Sequence, residues 1–359
     1  HFGWKKEAIP ISRYKKSMIN RFFDTIFGWI LFFLETLVVL ITQLFSSITV
    51  LMLDVYQKTL SKKVTFKGIG LHSGKYTTVK VNPAKEDEGI VFKRIDLKNN
   101  NLIKANFANV SSAKLCTTLE NNFGVKVSTV EHLLAALYMS GVDNAVIELS
   151  SEEVPIMDGS AKEFLETFNK VKTKTLLKKR KYLKVNDKVT LIEGKKNISI
   201  ESNQSSLEVE FQLDYKNEII GNQKNFVNFH TDNLNDVYNS RTFCLYEDVE
   251  KIKKAGLAKG GSLGNAIVVN EDKVLNEGGL RNNKEFVNHK ILDLAGDFIL
   301  SGYRILGKVS CYHGGHELTN KFLRKLFGCS NAFQIIELNN VLISKELNSD
   351  TNQKIAINA

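Results

Sequence analysis

Two short stretches far apart in the chain carry residue types suited to metal-dependent chemistry. Ser128-Thr129-Val130-Glu131-His132-Leu133-Leu134 offers an imidazole with a carboxylate beside it; His289-Lys290-Ile291-Leu292-Asp293, followed by Asp297, offers a second imidazole and two more carboxylates. Two histidines and an aspartate fill three positions around a divalent ion and leave a fourth open for water, as a catalytic zinc site requires. Zinc brings the pKa of such a water down to ~7, so hydroxide exists at neutral pH. Glu131, next to His132, could take a proton from that water. His316, in Gly314-Gly315-His316, could protonate a leaving amine, and Asp297 could hold that imidazole in its charged form. Lys290 and Thr242 could stabilise a developing oxyanion. The same two histidines and carboxylate also suit a non-haem iron oxygenase. The additional acids favour hydrolysis without deciding it.

Each stretch also has a plainer account. His289, Asp293 and Asp297 recur at one-turn spacing on a helix expected over 284–300, so they share a face. Ile291, Leu292, Leu294, Phe298 and Ile299 fall mostly on the other side, as in an amphipathic helix with its polar face in water. His132 adjoins Leu133 and Leu134 and would also suit a core position, while Glu131 would suit the positive end of a helix dipole. A helix is expected to start near Ser128 or Thr129, where a hydroxyl can cap the first turn. Strands are expected around Val64-Thr65-Phe66, Thr77–Val81, Asn144–Leu149 and Leu207–Phe211, with a tight turn at Gly68–Gly74 and a second helix over 160–168. A further strand-turn-helix carries His313 and His316. Strands followed by helices, twice over, give an α+β fold of two similar halves.

Length and composition agree with a large globular core. The chain has 359 residues, 43% of them apolar and 25% charged, and only 3 prolines. Its formal charge of +10 fits an anionic partner without choosing between nucleic acid, a membrane surface and a phosphorylated substrate. Cys116, Cys244, Cys311 and Cys329 form no C-x-x-C pair, so no thiolate metal spacing is present, and four scattered cysteines in a long chain do not suggest a disulfide framework. A reducing compartment is the expected home. Cys116, before two threonines, is expected as a small buried side chain.

The first fifty residues differ in kind. From Ile26 to Leu53 the only charge is Glu35, and ~20 apolar residues suffice to cross a bilayer. Residues 26–53 are therefore a candidate for membrane association; an extension foreign to the rest of the chain is the other reading. With the positive charge, the apolar run also suggests a non-enzymatic membrane-associated protein, against which the intact set of metal donors counts. The expected organisation is an apolar extension over 1–54, a first α+β domain over 55–171, a lysine-rich solvated linker over 172–182, a second α+β domain over 183–342 and a polar tail over 343–359.

Taken together, the motifs closely resemble the UDP-3-O-acyl-N-acetylglucosamine deacetylases, zinc enzymes of bacterial lipid A synthesis. The matching stretches are Gly68-Ile69-Gly70-Leu71-His72-Ser73-Gly74, Ser128–Leu133, Val154-Pro155-Ile156-Met157-Asp158-Gly159-Ser160, Ser240-Arg241-Thr242-Phe243, Gly260-Gly261-Ser262-Leu263, Leu275-Asn276-Glu277 and His289–Asp293. They run in order from about Tyr56 to Phe327, and that order makes the resemblance specific. It implies two α+β halves with the active site between them. It implies Zn2+ on His132, His289 and Asp293, Glu131 as general base, His316 as acid, Asp297 orienting His316, and Thr242 and Lys290 near the carbonyl oxygen. His72, Phe243, Gly261, Ser262 and Ala266 would bind substrate, the segment around the last three lining a passage for the acyl chain. His313 stands where the family usually has a lysine that meets the nucleotide phosphates. Gly264 and Gly278 stand where acids are common. The implied partner is a UDP-linked acylated amino sugar, with no nucleic acid; the implied state is a monomer in the cytoplasm, at the inner face of the inner membrane if the apolar extension is a real membrane segment.

Overall fold

The computed structural model describes residues 29–30, 32–38, 53–203 and 205–338. The chain divides into two units, Leu53–Val341 and a second made of His1–Met52 with Leu342–Ala359. In the second unit residues 29–30 and 32–38 are helical, and Trp29, Phe32 and Phe33 are exposed. No helix among the described residues is long and apolar enough to cross a membrane. The rest of the apolar run 26–53, apart from Leu53, and the polar tail 343–359 lie outside the described residues.

Leu53–Val341 is an α+β structure in two halves. In the first half, the strands Val64–Ile69, Tyr76–Pro83, Ala145–Leu149, Ile90–Arg94 and Leu102–Lys104 form one sheet in that spatial order. Their burial alternates, as in Tyr76–Pro83, because a sheet with one covered face needs every second side chain apolar. The helices α1 (Glu131–Met139) and α2 (Lys162–Val171) belong to this half, with a small sheet of Val110–Ser112, Thr118–Glu120 and Lys126–Val127. In the second half, Arg304–Tyr312 is the central strand of a seven-stranded sheet. It pairs with Lys196–Ser202 antiparallel and with Lys181–Val185 and Leu207–Asp214 parallel. The short helices α3 (Asn235–Tyr238) and α4 (Tyr246–Lys254) precede the long α5 (Glu285–Phe298) and α6 (His316–Gly328).

The halves meet where α1 packs on α5, and one continuous apolar core runs through both. Here the plainer account of α5 fails. The polar face of α5 does not look into water: every residue of that helix except Lys290 is buried, His289, Asp293 and Asp297 included. A helix buried all round needs partners for its polar groups, and those partners form the site described below.

The lysine-rich connection is also more ordered than its composition implies. Lys172 takes a positive φ of 62° and ends α2. Thr173–Lys179 then forms a strand antiparallel to Tyr56–Leu60. Most of its side chains stay exposed, so charge is no obstacle to pairing there, and Thr173 and Thr175 favour the extended backbone.

Candidate active site

The site begins with helix spacing. His289 and Asp293 lie one turn apart on α5, and His132 reaches them from the first turn of α1. The Nε2 atoms of His132 and His289 lie 3.6 and 3.3 Å from Oδ1 of Asp293. The two imidazoles stand edge to face, 5.1 Å apart. These three residues form a group whose ligand atoms all lie within 4.8 Å of one another. Donors ~2 Å from a tetrahedral ion sit ~3.3 Å from each other, so the spacing matches a metal centre.

The hydrogen bonds point the same way. Nδ1 of His289 lies 3.1 Å from the carbonyl oxygen of Ser240. A carbonyl only accepts, so Nδ1 carries the proton and Nε2 presents a lone pair. Burial drives the His289 pKa down to about 3, which keeps the ring neutral. Asp293 Oδ2 accepts from Lys290 Nζ at 2.8 Å. Its Oδ1, like Nδ1 of His132, is buried with no hydrogen-bond partner. Burial works against ionising Asp293, but the positive groups around it, Lys290 and His316 among them, hold it well below the usual carboxylate range. An unpartnered anionic oxygen facing two imidazole nitrogens is costly unless a cation sits among them.

A second group lies beside the first. Nδ1 of His316 donates to Oδ2 of Asp297 at 2.8 Å, and its Nε2 lies 3.8 Å from both Glu131 Oε1 and Asp293 Oδ2. Burial alone would lower the His316 pKa. Asp297, Asp293 and Glu131 outweigh it and lift the pKa to about 10, so the ring is charged at neutral pH. Burial raises the pKa of Glu131, against the pull of His316 and His132. A carboxylate and an imidazolium thus face each other beside three metal donors, the pairing that proton transfer in both directions needs.

An apolar cavity of about 350 Å³ opens alongside, walled by Leu71, Val249, Ile252, Leu263, Val268 and Leu275. His72, Thr242, Phe243, Gly261, Ser262 and Ala266 line it too. It borders the metal donors at Phe243, whose ring is 6.3 Å from that of His289 and 5.5 Å from Lys290 Nζ. Thr242 is pinned through its backbone, which donates to the Gly159 carbonyl and accepts from Ile267, each at 2.8 Å. His313 is not on this wall. It lies past the end of the strand Arg304–Tyr312, with a φ of 51° and its ring 5.1 Å from that of Tyr215.

Three features of the site escaped the sequence. The start of α1 has no side-chain cap; its N-terminal flank is Val130. Thr129 instead has a positive φ of 55°, and its hydroxyl donates to the buried carboxylate of Glu153 at 2.8 Å. Glu153 also accepts the backbone N–H groups of His72 and Ser73, at 2.8 and 2.7 Å. It therefore ties the cavity wall to the turn that launches Glu131 and His132. Thr117 donates its backbone N–H to Glu131 Oε2 at 3.0 Å and its hydroxyl to Asp297 Oδ1 at 2.7 Å. Glu153 sits in a Ser-Glu-Glu run and Thr117 in a Thr pair, so neither stands out by type or spacing. Cys116, next to Thr117, is buried as expected, and burial pushes its thiol up to about 12.

Three converging metal donors, a buried carboxylate and a charged imidazole make up the centre of a metal-dependent hydrolase. The family model described as UDP-3-O-acyl N-acetylglycosamine deacetylase matches residues 57–328. The chain belongs to that family. It is 41% identical to the UDP-3-O-acyl-N-acetylglucosamine deacetylase of Geotalea uraniireducens over 284 residues, 79% of this chain and 92% of the relative. It is 39% identical to that of Syntrophotalea carbinolica over 79% of this chain and 91% of the relative. It is 38% identical to that of Actinobacillus pleuropneumoniae over 78% and 92%.

Proposed function

We propose that this protein hydrolyses the N-acetyl group of UDP-3-O-acyl-N-acetylglucosamine, giving acetate and UDP-3-O-acyl-glucosamine for lipid A synthesis. The observation that carries the reading is the placement of Glu131 and His316, 3.8 Å apart, beside the donors His132, His289 and Asp293. Those three would hold Zn2+, whose preferred ligands they are. When bound, the ion supplies a Lewis acid and lowers the pKa of a water molecule.

The chain's own residues do the rest. Glu131 takes the proton of the attacking water. His316 Nε2 gives its proton to the amide nitrogen as the C–N bond breaks, so the amine leaves neutral and the acetyl carbon departs as acetate. Asp297 holds the imidazole by Nδ1, fixing which nitrogen faces the reaction. Lys290 and Thr242 flank the position of the acetyl oxygen and would offset its developing negative charge. The apolar cavity takes the acyl chain, with His72, Phe243, Gly261, Ser262 and Ala266 on its wall. His313 faces the nucleotide phosphates. In this reading residues 55–171 and 183–342 are the two catalytic domains, joined through 172–182. The protein works as a monomer in the cytoplasm, without nucleic acid, with 26–53 as its contact with the inner membrane.

The test is acetate release from the UDP-sugar by purified protein, with metal content measured on the same sample. Stoichiometric acetate with about one zinc per chain is the expected result. No acetate from zinc-loaded protein would overturn the reading, and turnover that requires iron and oxygen would replace it with an oxygenase.

A further inference from the structure

We infer that Thr117 is the positioning residue that sets the base and the acid of the reaction in register with each other. The inference rests on the deacetylase reading above and goes beyond it by assigning a role to a residue outside the metal and proton-transfer set.

The geometry is specific. Thr117 is buried, at 2% exposure, and lies immediately before the strand Thr118–Glu120. The next residue enters the small sheet, which limits how far the Thr117 backbone can move. From that fixed point it makes two bonds into the site. The backbone N–H reaches Glu131 Oε2, which leaves Oε1 as the oxygen facing His316. The hydroxyl has one proton to give and gives it to Asp297 Oδ1. Asp297 Oδ2 is then the oxygen that accepts from His316 Nδ1. Both Asp297 oxygens are thus engaged, so the carboxylate cannot turn about its own axis without losing a bond. A fixed Asp297 fixes the plane of the imidazole and the aim of its Nε2. One residue in the first half thereby holds Glu131 on α1 and, through Asp297 on α5, His316 on α6.

The two bonds have separable chemical origins. The amide bond to Glu131 survives any substitution that keeps the backbone, whereas the hydroxyl bond to Asp297 does not survive valine. Thr117→Val keeps the shape and removes only the second bond. Asp297 Oδ1 is then buried without a donor, and the carboxylate is free to rotate away from the line His316 needs.

The experiment compares Thr117→Val, Thr117→Ser, Asp297→Asn and the Thr117→Val/Asp297→Asn double variant of the full chain. It reads kcat and KM for acetate release, zinc content, and the Asp297–His316 distance in a crystal structure of Thr117→Val. We expect kcat of Thr117→Val to fall about 10- to 100-fold, the range for residues that orient a site group. KM and zinc content should stay near wild type. Thr117→Ser, which keeps the hydroxyl, should recover most of the rate. In the Asp297→Asn background the valine substitution should cost little more, because it acts through that carboxylate. A structural role would lower Tm and zinc content and would add to the loss from Asp297→Asn. Wild-type kcat in Thr117→Val, or full additivity with Asp297→Asn, overturns the inference while the wild-type protein still releases acetate. If the wild-type protein releases none, it is the deacetylase reading that fails. Should Thr117→Val not fold, Thr117→Ala removes the same hydroxyl and carries the same comparison.

Discussion

Gly296 on α5 lies directly against the carbonyl oxygen of Glu131 at the start of α1: a Cβ built on Gly296 would sit 2.1 Å from that oxygen and 3.2 Å from the Ala135 nitrogen. Neither atom belongs to a side chain that can move aside. The absence of a side chain at Gly296 is thus what lets α5 bring Asp293 within reach of His132. The motif spacing on each helix supplies the donors, and this contact supplies the distance between them.

Gly296→Ala is accordingly expected to push the two helices apart. Overpacking a filled core costs about 1–3 kcal/mol, and here the strain falls on the metal donors themselves. The variant should melt lower than wild type and retain less zinc after dialysis against a weak chelator. Full zinc retention at unchanged Tm would show that the helices have room to spare.

Glu131→Gln keeps the side-chain volume and the acceptor oxygen but cannot take up the water proton. Loss of a general base costs ~10²–10⁴-fold. Turnover should fall by that order with zinc still bound, since Glu131 is not one of the three donors. His289→Ala and Asp293→Ala should do the reverse and purify with reduced zinc, because each removes a donor. Near-normal deacetylation by Glu131→Gln would remove it from its role.

The pH profile follows from two opposed shifts. Activity needs Glu131 unprotonated and His316 protonated. Burial raises the Glu131 pKa, so the acidic limb should lie above the usual glutamate range. The His316 pKa, lifted to about 10 by Asp297, Asp293 and Glu131 against the effect of burial, sets the basic limb. A bound divalent ion repels both protons, so both limbs of the loaded enzyme should move to lower pH and the basic one should fall below about 10. His316→Gln should abolish the basic limb and cut kcat ~10²–10⁴-fold with a smaller change in KM. An unchanged basic limb in that variant would exclude His316 as the acid.

How much of this was legible depends on whether the information is local. His289 and Asp293 had to share a helix face, because four residues is about one turn. Strand alternation at Tyr76–Pro83 and Leu207–Asp214 was readable for the same kind of reason. What α1 and α5 pack against is not local. The polar face of α5 has the pattern of a solvated face, and the packing of α1, α3 and α6 against the helix turns that face inward. The helix start at Glu131 was misjudged because Ser128 and Thr129 look like caps, whereas the Thr129 hydroxyl is already committed to Glu153, 24 residues later. Thr117 reaches Asp297 across 180 residues, a separation at which periodicity is silent.

His313 offers the sharpest test of the nucleotide end of the site. Burial first, then the nearby Lys196, lowers its pKa from the ordinary histidine value, with Asp214 pulling weakly the other way. The ring is therefore neutral at pH 7 and above, and takes a charge only below the usual value of ~6.5. Its Nδ1 faces the backbone N–H of Asp214 at 3.5 Å, a weak contact that lysine can give up at small cost. A lysine in its place carries a permanent charge. If this loop meets the phosphates, His313→Lys should lower KM at pH 8 and low salt while kcat stays unchanged, because phosphates remote from the breaking bond bind ground and transition state alike. The gain should shrink at high salt if the contact is exposed. It should also shrink at pH 5.5 and below, as His313 itself becomes protonated. KM for both proteins at the two pH values and two salt levels decides the matter. Equal KM at pH 8 and low salt would mean that His313 does not touch the phosphates, and that the nucleotide lies along another edge of the cleft.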